Sequence, residues 1–103
     1  MTTKYRVSIT KIAESDIESI WSFIAQDSKE KAIQYIIEIE NKIKTLENYP
    51  NRCPIISESE LLGINYRHLL IGNNRIIFKV EQNAVFIMRV VHISRLLDTS
   101  LIS

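Results

Sequence analysis

The chain has 103 residues, 46% of them hydrophobic, and a formal net charge of +1 that by itself names no partner; this size and balance predict a single globular domain over residues 1–103. The single cysteine, Cys53, excludes an internal disulfide, and two glycines and two prolines are too few for a disordered chain. No apolar run approaches the ~20 residues of a membrane span, and no signal-peptide pattern opens the chain, so the expected location is the cytoplasm, with no membrane partner.

Tyr5, Val7 and Ile9 alternate with Arg6 and Ser8, a period of two that predicts a strand with one buried face. Thr10 stands where a helix N-cap belongs, and Glu14 and Asp16 suit the positive end of a helix dipole. Ala13, Ile17, Ile20, Trp21 and Ile24 then recur at spacings of three and four, predicting an amphipathic helix with Glu14, Asp16 and Glu18 on its exposed part. Asp27 or Ser28 caps a second helix, with Glu30 in capping-box spacing from Asp27. Its stripe is Ala32, Ile36, Ile39, Ile43 and Leu46, widened by Ile33 and Ile37, and it is expected to end near Glu47. So short a connection makes the two helices an antiparallel hairpin, and a stripe of only two heptads reads as core rather than coiled-coil seam.

Residues 48–62 hold both prolines and read as a loop, with a short turn near Ser57 to Leu62. Gly63 is expected to open a strand reaching about Ile71. Gly72, Asn73 and Asn74 then turn the chain, Arg75 to Val80 returns it, and Glu81, Gln82 and Asn83 turn it again. Ala84 to His92 is apolar on both faces, as in a strand at the centre of a sheet. The order β-α-α-β-β-β predicts an α+β fold: an N-terminal strand and a helical hairpin packed on one face of an antiparallel sheet whose last three strands form a meander. The opposite sheet face is left to solvent or to a partner. The segment from Ser94 to Ser103 reads as one helical turn or irregular chain.

No glycine-rich phosphate loop and no GxSxG occurs. One cysteine with His68 and His92 makes no metal-ligand spacing, so neither a metal nor a cofactor is expected. Lysines gather before residue 51 and arginines after it; between residues 63 and 97, Arg67, Arg75, Lys79, Arg89 and Arg95 are set against Glu81 alone. The planar fork of arginine suits phosphates and carboxylates. Strand alternation groups Arg67 with Leu69 and Ile71, Arg75 with Ile77 and Lys79, and Arg89 with Val85, Ile87 and Val91. If Arg67, Arg75 and Arg89 project away from the helices, they form a cationic strip across three strands, fit for RNA phosphates or an acidic protein segment. The plainer alternative is that their aliphatic stems cover the sheet. Tyr66 accompanies this group. His92 is a candidate acid or base because histidine titrates near physiological pH, the alternative being a structural hydrogen bond at a strand end.

Several stretches run in order along nearly the whole chain: Tyr5-Arg-Val-Ser-Ile9, Ala13-Glu-Ser-Asp16-Ile17, Leu46-Glu-Asn-Tyr-Pro50, Asn65-Tyr66-Arg67-His-Leu69, Asn74-Arg75-Ile-Ile-Phe78-Lys-Val80, and Val90-Val91-His92-Ile-Ser-Arg95. The ordered set resembles the RelE/ParE superfamily of toxins from type II toxin–antitoxin systems, whose layout is also β-α-α-β-β-β. The resemblance implies a toxin of plasmid-stabilisation type, neutralised by a cognate antitoxin that wraps it with an acidic, amphipathic segment. RelE-like members cut messenger RNA on the ribosome; ParE-like members are associated with inhibition of DNA gyrase by binding. Arg75 matches an arginine both branches tend to keep, and Arg67 a basic position. A second basic position of the ribonucleases falls on Leu69, and their C-terminal tyrosine falls near Thr99. His92-Ile-Ser-Arg95 looks like the ParE-like ending. The residues favour the ParE-like branch, a gyrase inhibitor rather than an enzyme, with Arg67, Arg75, Arg89 and Arg95 contacting antitoxin or target. The alternative is an endoribonuclease using Arg67, Arg75, His92 and Arg95 on ribosome-bound mRNA. A second alternative is an inactive relative serving only as antitoxin partner.

Overall fold

The structure, a computed structural model, describes residues 4–96. The elements in chain order are β1 (Arg6–Ile9), α1 (Lys11–Ala25), α2 (Lys29–Lys44), α3 (Ser59–Leu62), β2 (Arg67–Ile71), β3 (Asn74–Glu81) and β4 (Ala84–His92), with 3-10 turns at Thr45–Glu47 and Pro50–Arg52. The expected α+β class and element order are present. The sheet order is β1-β4-β3-β2, so the doubly apolar β4 is indeed central.

One feature of the sheet corrects the expectation. β2, β3 and β4 form the antiparallel meander, but β1 runs parallel to β4, with Arg6 opposite Ala84 and Ile9 opposite Ile87. A period of two cannot distinguish the two directions. Parallel strands need a crossover, and here the whole chain between β1 and β4 serves as one.

Local chemistry sets the helix boundaries. Thr10 caps α1, its hydroxyl oxygen accepting from the Ala13 N–H at 3.2 Å, and donates to the Ile87 carbonyl at 2.9 Å, fixing the start of α1 to the sheet. Ser28, not Asp27, caps α2 by accepting from the Lys31 N–H. The α-helical part of α2 stops at Lys44, and a 3-10 turn carries the chain to Glu47. Gly63 does not open a strand: it terminates α3 at φ 73°, and β2 begins four residues later. Gly72 turns the β2–β3 hairpin at φ 53°.

Two apolar clusters lie on opposite faces of the sheet. The larger joins Ala13, Ile39, Ile43 and Leu46 of the helical layer to Ile76, Phe78, Val85, Ile87 and Val90. Burial of an aliphatic or aromatic side chain stabilises by about 1.5–3 kcal/mol, so this cluster is the main favourable term. Ile33 and Ile37, expected to widen the α2 stripe, are instead about half exposed. The smaller cluster, Ile56, Tyr66, Ile77 and Val91, fills the other face. That face is therefore not left open along its length: residues 54–66 strap across it, with the Ser59 hydroxyl accepting from the Tyr66 N–H at 2.9 Å and donating to the Tyr66 carbonyl at 3.1 Å.

Candidate partner-binding groove

The four expected arginines do not meet on one surface. Arg67 pairs with Phe78 across the β2–β3 ladder, whereas Arg75 pairs with Leu70, so the two project from opposite faces. Arg67 donates to the carbonyls of Asn51 and Cys53, at 3.1 and 2.6 Å, tying β2 to the loop beside it. Burial near that tie raises the Cys53 thiol pKa, with Arg67 pulling it down. Arg75 is only 5% exposed and lies against the Glu58 carboxylate, itself 7% exposed, while donating to the Arg95 carbonyl at 2.5 Å.

Arg89 is displaced by a bulge. The register slips between Ile77, opposite Arg89, and Phe78, opposite Ile87, which leaves Met88 as the extra residue. Alternation therefore breaks: Val85, Ile87 and Val90 join the large cluster and Val91 the small one, contrary to the simple grouping of Arg89 with Val85, Ile87 and Val91. Arg89 reaches Asp16 on α1 as a two-pronged ion pair, with Nε–Oδ2 at 2.7 Å and Nη2–Oδ1 at 2.9 Å. Asp16 Oδ2 also accepts from the Val90 N–H at 2.9 Å. Asp16 is thus no surface dipole residue; it seals the edge of β4 beyond the point where β1 stops. The Asp16 hydrogen bond raises the Arg89 pKa, against the opposing effect of burial. The proposed strip of three arginines does not form.

What the fold does open is a groove of about 650 Å³ between the hairpin and the far end of the sheet. Ile20, Phe23 and Ile24 of α1 form an apolar wall, Phe23 being 76% exposed. Tyr35 of α2, the Gly72–Asn74 turn, His92 and Arg95 line it too, with Asp16 and Ser19 of α1 and Val90 and Val91 of β4. The Tyr35 hydroxyl lies 2.9 Å from the Ile71 carbonyl and 2.6 Å from Asn74 Oδ1, pinning α2 to the turn, and burial followed by the Glu38 charge raises its pKa. His92 Nδ1 accepts from the Ser94 N–H at 3.1 Å, with the Ser94 hydroxyl at 2.7 Å. With Nδ1 as acceptor, the neutral ring carries its proton on Nε2. Of the expected residues the groove brings together His92 and Arg95; Arg67, Arg75 and Arg89 bind other parts of the chain. Tyr66 is core, and Thr99 lies outside the described residues. Phe23 and Tyr35 were not singled out by sequence, although an aromatic one position beyond a helix stripe is a signal for the first. Among the described residues no group of three His, Cys, Asp or Glu side chains is placed to hold a metal, and no helix is long and apolar enough to cross a membrane.

The family model for the ParE toxin of the type II toxin-antitoxin system parDE matches residues 7–97. The chain belongs to the ParE toxin family. It is thereby a type II toxin, and the match runs from within β1 through the end of β4. Among solved structures, a chain of the "Chromosomal ParDE TA system from P. aeruginosa" superposes on the toxin with a TM-score of 0.71 at 20% identity, covering 90% of this chain and 100% of that one. At that identity the likeness speaks for the fold. No curated protein matches the sequence.

Proposed function

We propose that this ParE-family toxin acts by binding rather than by cutting, that its target is DNA gyrase, and that a cognate antitoxin silences it in the cytoplasm. The observation that carries the reading is the internal neutralisation of the sheet arginines. Arg75 and Arg89 are each engaged with a carboxylate of the same chain, so neither presents an open fork to an RNA phosphate. The groove offers instead an apolar wall with Arg95 and His92 on its lining, a surface suited to an amphipathic segment with apolar anchors and an acidic flank. Apolar burial there would supply most of the affinity, and the charge match would speed association.

The test is a supercoiling assay with the purified toxin and gyrase. Inhibition at micromolar toxin, relieved by antitoxin, is the expected outcome; undisturbed supercoiling at that concentration would sink the gyrase assignment. Phe23→Glu places a charge on the apolar wall at an exposed position. It should weaken antitoxin binding at least tenfold by calorimetry while shifting stability by no more than about 0.5 kcal/mol.

A ribonuclease is the second reading, because His92 and Arg95 do line one groove. It requires ribosome-dependent cleavage in a translation extract that His92→Ala abolishes.

A further inference from the structure

Three ionisable side chains meet beneath α3, and the groove uses none of them directly. The β2–β3 register pairs His68 with Ile77 and Leu70 with Arg75, so His68 and Arg75 project from the face that carries the 54–66 strap. Glu58, immediately before α3, comes down onto the Arg75 guanidinium, and both side chains are more than nine-tenths buried. The same guanidinium donates to the carbonyl of Arg95, past the end of β4. One side chain therefore fastens two separate segments, the strap and the exit from β4. Beside it, His68 Nδ1 is buried without a hydrogen-bond partner, and so is Arg75 Nε.

We propose that Arg75 is a latch holding the strap and the Arg95 segment together, and that protonation of His68 releases it by drawing Glu58 away from Arg75. The competition follows from the atoms present. A neutral imidazole keeps Nδ1 as a lone pair, whereas an imidazolium carries a proton there and needs an acceptor. Arg75 of β3 shares the face of the hairpin with His68, and Glu58 of the strap lies on Arg75, so these are the charged groups whose fields reach the ring. Glu58 is the anion of that set, and an imidazolium beside Arg75 repels the guanidinium and competes with it for that carboxylate. Burial first, and Arg75 second, lower the His68 pKa, with Glu58 opposing, so the ring is neutral at pH 7 and release belongs to acid conditions. Arg95 lines the groove, so the latch also sets part of its wall. That last link rests on the groove being the binding surface; the latch itself is a property of the free chain.

Residue-resolved amide exchange on the full chain, corrected for the intrinsic pH dependence of exchange, tests this between about pH 7.5 and about pH 5. The readout is the Leu62 and Gly63 amides, which bond to Glu58 and Ser59 carbonyls within the strap, and the Arg95 amide. Their protection should fall roughly tenfold on acidification, while the Phe78 and Ile87 amides of the sheet keep theirs. In His68→Gln the strap amides should show no acid-dependent loss. Identical pH profiles in the two proteins would overturn the latch, as would loss of sheet protection in step with the strap. Should His68→Gln fail to fold, the wild-type His68 ring resonance serves instead. Its titration midpoint must coincide with the shift of the Leu62 and Gly63 amides, and separate midpoints refute the coupling. A Phe23→Glu variant that still binds antitoxin normally would remove the groove reading and leave the latch standing.

Discussion

Asp16 does three things with one carboxylate: it accepts from Arg89 Nε, from Arg89 Nη2 and from the Val90 amide. Asp16→Ala therefore leaves a largely buried guanidinium and a strand-edge N–H without that acceptor, and unfolding in urea should show a loss of about 3 kcal/mol. Asp16→Asn should cost less, because one amide oxygen still reaches Val90. Gly72 is the second position where a single group decides. Its φ of 53° disfavours any Cβ, and an added Cβ would sit 2.9 Å from the Tyr35 hydroxyl, which is itself held by Ile71 and Asn74. Gly72→Ala should destabilise by about 1–2 kcal/mol, whereas Gly63→Ala meets no neighbour and suffers only the backbone strain; comparing their denaturation midpoints separates the two effects. Sequence made the Gly72 turn legible because glycine and asparagine announce it. It could not make Asp16 legible, since the partner that gives that carboxylate its role lies 73 positions away.

Among the elements, the helices and the meander were written plainly in periods of 3.6 and 2, with Thr10 and the two tight turns as punctuation. The bulge at Met88 was not, because an apolar run on both faces of β4 carries no alternation whose interruption can be seen. That one extra residue decides where Arg89 points, and with it the fate of the expected cationic strip. α3 was legible only as a turn: four residues are too few to show a period, and its hold on the sheet comes from Glu58, Ser59 and Tyr66 rather than from its own pattern. This strap gives the stability a pH dependence. The folded His68 pKa is lowered, so between that value and the unfolded value of about 6.5 the unfolded chain binds more protons. The His68 contribution is therefore fully present above about pH 6.5 and is lost as pH falls towards the folded pKa. Denaturant titrations of wild type and His68→Gln should converge in that direction, the wild type losing more stability on acidification.

At the scale of the molecule, β4 is the keystone of the assembly. β1, β3, the start of α1 and the smaller cluster all close on it. β1 waits on a partner that lies more than 70 residues downstream, and contacts of such separation form late because a long loop must first close. On the ribosome the consequence is one of timing. The helical hairpin can be synthesised and begin to coil while its sheet is still missing the central strand. The groove, walled on one side by α1 and on the other by the end of β4, does not exist until the chain has emerged through Arg95. Nothing can therefore engage the toxin through that surface before β4 and the Arg95 segment have been made, and the two walls of the groove come together in a single late step.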